Sequence, residues 1–162
     1  MIEIHDVASE VANLGPAYRY TLLARTQRRA TTRDRERIAL APAAPLIALR
    51  CRHDADGRPF CLEDRLISLD AAPDAAAESF ATAPPGAWLL ARLPWTAAEH
   101  RIRAEGAGAA AAELGLTSTA PCLVVERRTF AGDAPVTQVT LTYPGAAHEL
   151  IARFSPGPRS RD

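Results

Sequence analysis

The sequence has no net charge, no long apolar run and no paired cysteines. Its 19 Lys and Arg residues balance 19 Asp and Glu residues, so no overall positive field is available to hold a phosphate backbone. Since it contains neither an apolar run of about 18 residues nor a basic-then-apolar leader, we expect neither a membrane helix nor a secretion signal. The three cysteines lack the C-x-x-C spacing of a zinc site, which predicts free thiols in a reducing cytoplasm. We expect a cytosolic protein whose own ligand is not nucleic acid.

Common catalytic motifs are also missing. The sequence contains no glycine-rich phosphate loop, no H-E-x-x-H and no G-x-S-x-G. His5, His100 and His148 are too far apart in the sequence to indicate a metal site, although folding can gather distant residues. We therefore expect no metal and no cofactor. The simplest enzyme classes are excluded, while unusual ones stay open.

What is present is enough apolar sequence for one folded domain. Of the 162 residues, 48% are hydrophobic, and the charges are spread along the chain, which is typical of a globular protein with a single core. We expect one domain over residues 1–155 and a flexible C-terminal tail over residues 156–162.

Hydrophobic periodicity predicts an α+β fold. Strand-like alternation comes in pairs joined by turn signals such as Asp56-Gly57, with helical segments between the pairs. This order indicates a mainly antiparallel sheet covered by helices. The predicted strands cover residues 18–25, 46–53, 58–68, 100–105, 122–131, 135–143 and 149–154. The predicted helices cover residues 7–14 with Asp6 as N-cap, 87–93, a brief helix from Trp95 or Thr96 with a Thr96/Glu99 capping box, and 107–114.

The segment 25–37 is the most basic part of the chain, with six arginines mixed with acids and threonines. We interpret it as a solvated loop. The alternative is a contact with DNA or with a partner domain.

The predicted hairpin over residues 46–68 is the strongest candidate site. Six of its charged or titratable side chains are the candidates: Arg50, Arg52, His53, Glu63, Asp64 and Arg65. Side chains alternate along a strand, so the two arginines of the first strand share a face, as do Glu63 and Arg65 of the second. One face can then present a guanidinium for a ligand carboxylate and a carboxylate for a ligand N–H. The alternative is a cross-strand salt bridge on a solvated face.

Other parts of the chain offer further candidates. The first N–H groups of the helix that follows Asp6, from Val7 onward, form a natural anion site, although most helix N-termini bind only their own cap. Trp88 and Trp95 are more typical of core than of ligand contact. Tyr143 fits a pocket mouth or a buried position equally well.

Four stretches of sequence match the motif order of a known family. They are R-H-D-A-D-G-R-P-F-C-L-E-D-R-L-I (52–67), P-W-T-A-A-E-H (94–100), A-P-C-L-V-V-E-R-R-T-F-A-G-D-A-P-V-T (120–137) and L-T-Y-P-G (141–145). Together they resemble the UTRA effector domains of GntR-type transcription regulators, in the HutC branch of histidine-utilisation repressors. Each motif is short, but their order and spacing over nearly the whole chain are specific.

The resemblance implies a chorismate-lyase-like fold, a homodimer and a pocket between the sheet and its helices. In these domains arginines of the first hairpin and the N-terminus of the first helix hold the effector's anionic group, which implies Arg50, Arg52 and Asp6 to Val7. Glu63 is the implied polar contact. The further implied or candidate contacts are His53, Arg65, Trp88, Thr137 and Tyr143.

For this branch the resemblance implies urocanate as the effector, an imidazole ring joined to an acrylate. Arginine or helix N–H groups would hold its carboxylate, and Glu63 would accept an imidazole N–H. Binding is expected to weaken operator binding by a winged helix-turn-helix domain that this chain does not contain.

One departure puts the effector in doubt. Where this branch commonly has T-P-Y-D-Y-L, the chain has P-P-G-A-W-L over residues 84–89 and lacks both tyrosines and the acid. If those side chains close the pocket, the effector differs or binds more weakly. Two alternatives stay open: a chorismate-lyase-like enzyme on the same fold, and a dimerisation module without a ligand.

Overall fold

Six antiparallel strands form the centre of the protein. The structure, a computed structural model, describes residues 7–15 and 17–151. The strands are β1 (Tyr18–Arg29), β2 (Pro45–Ala55), β3 (Arg58–Ser68), β4 (Ala97–Gly106), β5 (Pro121–Ala131) and β6 (Ala134–Pro144). They form one sheet in the order β1-β2-β3-β6-β5-β4, and every neighbouring pair is antiparallel. The predicted α+β class is confirmed.

Short helices pack on both faces of this sheet. They are α1 (Val7–Leu14), α2 (Thr32–Ile38), α3 (Pro85–Arg92) and α4 (Ala111–Leu114). Single turns of 3-10 helix lie at Pro73–Ala76, Gly108–Ala110 and Gly145–Ala147. One face of the sheet is covered by α1, α3 and the first 3-10 turn, and we call it the α1/α3 face. The opposite face is covered by α2 and α4, and we call it the α2/α4 face.

The hydrophobic core lies on both faces but is larger on the α1/α3 face. There Ile47 and Ile67 of the central strands pack with Trp88 of α3, and a second cluster gathers around Val11 of α1. On the α2/α4 face, Leu46 and Leu66 pack with Ile38, while Leu62 packs with Leu114. Apolar residues of the central strands therefore face both ways, which is why these strands contain few exposed positions.

The arginine-rich segment 25–37 is ordered, so its interpretation as a solvated loop is wrong. The hydroxyl of Thr31 and the carboxylate of Asp34 exchange hydrogen bonds with each other's backbone N–H groups at the start of α2. Arg28 forms an ion pair with the same buried Asp34, and Arg25 donates to backbone carbonyls of the first 3-10 turn. These arginines hold helix ends and turns in place.

Two further predictions are wrong. Thr96 does not cap a helix, because β4 begins at the next residue and the Thr96 hydroxyl accepts a hydrogen bond from the N–H of Gly132 at 2.8 Å. The predicted strand 149–154 is absent from its described part, residues 149–151, which have no regular structure. The predicted Asp6 cap and the tail 156–162 lie outside the described residues.

Two smaller predictions, on the helix 107–114 and on the cysteines, are refined or confirmed. Regular α-helix occupies only the last turn of the predicted helix 107–114, and Gly115 ends it in the left-handed conformation with φ of 64°. Cys51, Cys61 and Cys122 are buried free thiols. Within the described residues, no helix is long and apolar enough to span a membrane.

Candidate ligand-binding site

A cavity opens on the α1/α3 face, between the sheet and α3. Its volume is about 40 Å³, which is room for a few water molecules. Strands of the sheet supply a polar floor of His53, Glu63, Arg65, Arg127, Thr129 and Thr137. The apolar roof and wall include Leu89, Leu90, Leu93, Trp95 and Val136.

A continuous chain of hydrogen bonds runs along this floor. His53 Nε2 lies 2.6 Å from Glu63 Oε2, and Arg65 Nε donates to Glu63 Oε1 at 2.5 Å. Arg65 Nη1 donates to the hydroxyl of Thr137 at 3.1 Å, and that hydroxyl donates to a backbone carbonyl of β3. At the other end, His53 Nδ1 lies 2.7 Å from the hydroxyl of Tyr18. Side chains of β1, β2, β3 and β6 are thus held in one arrangement.

Glu63 is ionised at the centre of this chain. Burial by itself raises the pKa of Glu63, but the charge of Arg65 and the hydrogen bond to His53 outweigh it and lower the pKa to about 2. Because an ionised carboxylate only accepts hydrogen bonds, His53 Nε2 is the donor of that pair. His53 Nδ1 forms the second hydrogen bond of the ring, with the hydroxyl of Tyr18, and the direction of that bond depends on the tautomer. The ring is thus held at both nitrogens.

Two guanidinium groups border the cavity. Arg65 is only 6% exposed, and its Nη2 has no hydrogen-bond partner among the described residues and is not sealed from solvent. Arg127 of β5 lines the same cavity and donates from Nε to His100 Nε2 at 3.0 Å. Burial lowers the pKa of Arg127, and the like charge of Arg65 lowers it further. An anion bound between the two would offset both effects.

Arg50 and Arg52 do not join this site, so their predicted grouping with Glu63 is wrong. Arg50 lies on the α2/α4 face, where it pairs with Asp64 at 3.4 Å and with Glu113 of α4 at 3.3 Å. Arg52 pairs at 3.0 Å with an aspartate of its own strand. For Arg50, the alternative interpretation of a cross-strand salt bridge is correct.

A β-bulge beside the turn explains the error. Asp54 pairs with Pro59, but the next pair is His53 with Cys61, so Phe60 is an extra residue on β3. Phe60 and Cys61 accordingly pack in the same cluster on the α1/α3 face instead of alternating. The bulge moves all later pairs of this hairpin by one residue.

Because of this shift, Arg50 and Glu63 lie on opposite faces of the sheet. Pairing without the extra residue would place Arg50 opposite Glu63, since opposite residues of an antiparallel pair share a face. In the structure Cys51 is opposite Glu63, and Arg50 is opposite Asp64. Arg50 therefore reaches the carboxylate of Asp64, and not that of Glu63 in the cavity.

The other predicted residues divide into two groups. Four besides Glu63 line the cavity: Val7, His53, Arg65 and Thr137. Trp88 is 7% exposed and packs edge-on against Phe80 in the core. Tyr143 is 1% exposed and donates its hydroxyl to Glu10, so it is a buried tyrosine and not part of the mouth. Asp6 lies outside the described residues.

Sequence reasoning missed Arg127 and Thr129, and it placed Trp95 in the core. Arg127 is opposite Val139 and Thr129 is opposite Thr137 in the β5–β6 pairing, so both face the cavity. The alternation of β5 could have identified Arg127, because it places this charged residue on the same face of the strand as buried apolar neighbours. Trp95 is 44% exposed and lies at the cavity's edge.

A metal centre finds no support in the described part of the chain, where no three His, Cys, Asp or Glu side chains are grouped to hold an ion. A cavity with a cationic floor and an apolar roof is instead the arrangement of a small-molecule site. The fold and the cavity together define a ligand-binding domain.

Comparison with known proteins gives the family. The family model described as UTRA domain matches residues 13–149, and the chain belongs to the UTRA domain family. This match confirms the expected membership of the UTRA family.

The matched relatives are repressors by name. The chain is 29% identical over 156 residues to the histidine utilization repressor of Pseudomonas putida, covering 96% of this chain and 63% of that protein. It is 24% identical over 155 residues to that of Klebsiella aerogenes, covering 95% and 64%. The chain thus spans less than two thirds of the length of these curated relatives.

Two solved structures illustrate the shared fold. The C-terminal domain of histidine utilization repressor from Pseudomonas syringae pv. tomato str. DC3000 matches with a TM-score of 0.79 at 27% identity, covering 86% of this chain and 100% of that one. The effector domain of PhnF from Mycobacterium smegmatis matches with a TM-score of 0.81 at 19% identity, covering 93% and 95%. The second likeness concerns the fold alone.

Proposed function

We propose that this chain is the effector-sensing domain of a HutC-type transcriptional repressor and that it binds a small organic carboxylate, with urocanate as the first candidate. The names of the matched relatives support a regulatory domain over an enzyme. The observation that carries the proposal is the buried Arg65, which lines the cavity and whose Nη2 has no hydrogen-bond partner in the described part of the chain.

The carboxylate of the effector is held at the floor of the cavity. Arg65 Nη2 and the guanidinium of Arg127 supply charged donors, and Thr129 lines the same cavity. Charge-assisted bonds of this kind are about twice as strong as neutral ones. Val7 also lines the cavity, so the positive end of the α1 dipole favours the same anion.

The flat remainder of the effector packs under the apolar roof. Leu90 and Leu93 of the α3 region and the ring of Trp95 provide a surface for an unsaturated chain and a planar ring. For Glu63 we propose a role that differs from the one expected from the sequence. Its two oxygens each accept a hydrogen bond already, from His53 and from Arg65, so its proposed role is to position Arg65 rather than to hold an imidazole N–H.

Regulation follows from differential binding. An effector changes operator affinity only if it binds one conformation of the repressor more tightly than the other. We propose that the DNA is bound by a winged helix-turn-helix domain outside this chain, that the repressor is a homodimer, and that it acts in the cytoplasm.

Calorimetry with urocanate tests the site through a matched pair of substitutions. Arg65→Lys keeps the charge and leaves Glu63 a partner but removes Nη2, and we expect at least a tenfold loss of affinity. Arg50→Lys makes the same change on the α2/α4 face, and its affinity should equal that of the wild type. Unchanged binding in Arg65→Lys, or equal losses in both variants, would contradict the placement.

Two other results would contradict the function itself. If neither urocanate nor histidine nor related imidazole acids bind, the chain does not sense this class of effector. Release of pyruvate from chorismate would establish the enzyme alternative.

A further inference from the structure

A hydrogen bond to a neutral histidine holds Arg127 at the cavity. Arg127 Nε donates to His100 Nε2 at 3.0 Å, and the two residues are directly opposite each other in the β4–β5 pairing. An arginine guanidinium keeps its protons in proteins and has no acceptor atom. Nε2 of His100 is therefore unprotonated, and the single hydrogen of the neutral ring is on Nδ1.

The surroundings of His100 favour this neutral form. Burial lowers the pKa of His100, and the positive charge of Arg127 lowers it further. Ala98 and Ile102, the neighbours of His100 on the same face of β4, carry no charge. Four further ionisable residues act on the pKa of Arg127: Arg65, Tyr143, Glu10 and Glu63. His100 thus accepts a hydrogen bond at neutral pH and stops doing so once it is protonated.

His100 acts on the cavity through Arg127. Of these two residues, Arg127 lines the cavity and His100 does not. Arginine has one hydrogen on Nε, which lies in the plane of the guanidinium. The bond to His100 therefore restricts the orientation of the whole group, whatever other contacts Arg127 makes.

We infer that His100 is a positioning residue of the effector site and that effector binding weakens in acid as His100 takes up a proton. The inference rests on the proposed function, in which Arg127 is a donor to the carboxylate of the effector. A protonated ring has donors at both nitrogens. Protonation therefore breaks the bond to Arg127 and places two positive charges side by side.

The direction of the effect distinguishes positioning from a simple effect of charge. An extra positive charge near the cavity would by itself attract an anion and strengthen binding in acid. Loss of the positioning bond weakens binding instead. Because the pKa of His100 is below its ordinary value of 6.5, the loss should begin below that pH and approach about tenfold per pH unit.

Calorimetry with urocanate from about pH 5 to about pH 8 tests the inference. His100→Gln offers an acceptor oxygen that is not protonated in this range, so Arg127 keeps a partner at every pH. The imidazole of urocanate titrates as well. Each wild-type dissociation constant is therefore divided by that of His100→Gln at the same pH, which cancels the titration of the ligand. We expect this ratio to rise as the pH falls, by at least about threefold between the two ends of the range.

Two further variants separate positioning from a structural role. His100→Phe keeps a planar ring without an acceptor, and it should bind urocanate about tenfold more weakly than His100→Gln at about pH 8. His148→Gln is the matched control. Burial also lowers the pKa of His148, but this ring stacks on Tyr143 at 3.9 Å and does not line the cavity. The ratio of His148→Gln to His100→Gln should therefore rise in acid as it does for the wild type.

The outcomes separate the inference from the proposed function. If the wild type does not bind urocanate at any pH, the inference fails together with the proposed effector. If the wild type binds but the ratio stays constant, or falls in acid, carboxylate sensing survives and the positioning role is overturned. Equal affinities of His100→Phe and His100→Gln at about pH 8 would also overturn it, because the acceptor would then be unnecessary.

Discussion

Glu63 and Asp64 are adjacent in the chain, but their carboxyl groups lie on opposite faces of the sheet and their pKa values shift in opposite directions. Burial outweighs the nearby Arg50 and Arg37 for Asp64 and raises its pKa. For Glu63, burial is itself outweighed by Arg65 and His53, and the pKa falls to about 2. The difference lies in how closely each carboxylate is paired: Arg65 is 2.5 Å from Glu63, whereas Arg50 is 3.4 Å from Asp64.

The first prediction concerns stability in acid. Because its folded pKa is below its ordinary value of 4.5, Glu63 stabilises the fold above about pH 4.5, and this contribution is lost as the pH falls toward about 2. Glu63→Gln should therefore lower the free energy of unfolding at neutral pH by roughly 2 to 3 kcal/mol. Urea unfolding at several pH values should show the gap to the wild type closing below about pH 4.5.

Asp64→Asn should behave with the opposite sign. A raised pKa means that Asp64 favours the fold at low pH and that this advantage disappears as the pH rises above its ordinary value of 3.8. The variant should therefore gain stability relative to the wild type as the pH rises. Parallel curves for the two variants would contradict the assignment of the two carboxyl groups to opposite environments.

The second prediction concerns the start of α2. Asp34 accepts from the N–H of Thr31 and pairs with Arg28, and the pairing with Arg28 is the main reason why its pKa is lowered. Asp34→Ala should lower the free energy of unfolding by about 2 kcal/mol, since it removes one half of the capping box with Thr31 and leaves Arg28 without its carboxylate. Glu36→Ala removes an exposed acid of the same helix and should change stability by less than about 0.5 kcal/mol. Urea unfolding measures both variants. Equal losses of stability in Asp34→Ala and Glu36→Ala would contradict a stabilising role of the Asp34 contacts.

Much of the sheet could be predicted because local signals determine it. Turn signals at Asp56-Gly57 and Gly132-Asp133 flank strands with clear alternation, and both hairpins form with boundaries close to those predicted. The arginine-rich segment 25–37 was misinterpreted because its partners are distant in the sequence: residues 25–29 pair with β2, and Arg25 also contacts the first 3-10 turn. Charged composition alone does not reveal such partners.

The site was predictable in its residues but not in its grouping. His53, Glu63, Arg65 and Thr137 were candidates, and all four border the cavity. Arg50 was grouped with them because simple alternation assumes an uninterrupted register. The extra residue Phe60 has no distinctive local signal. A bulge is recognised only once the pairing of the two strands is known.

The third prediction concerns Gly145 in the L-T-Y-P-G motif. A Cβ atom at this position would lie 2.8 Å from the backbone oxygen of Pro121. Backbone atoms cannot move aside as a flexible side chain can, so Gly145→Ala should destabilise the fold by about 1 to 3 kcal/mol. Ala146→Ser, at the exposed neighbouring position, should be nearly neutral. Thermal unfolding of the two variants makes the comparison, and equal melting temperatures would contradict the predicted clash.

The last prediction concerns how an effector enters. The cavity has a volume of about 40 Å³, which is room for a few water molecules, and we expect its roof to move when an imidazole ring joined to an acrylate binds. Trp95 is 44% exposed at its edge, whereas Trp88 is buried in the core. Urocanate should therefore change the fluorescence of Trp88→Phe, which retains Trp95, and leave that of Trp95→Phe nearly constant, after correction for ligand absorption. If calorimetry shows binding while the signal comes from Trp88 or from neither ring, the roof does not move at Trp95 and the ligand enters elsewhere.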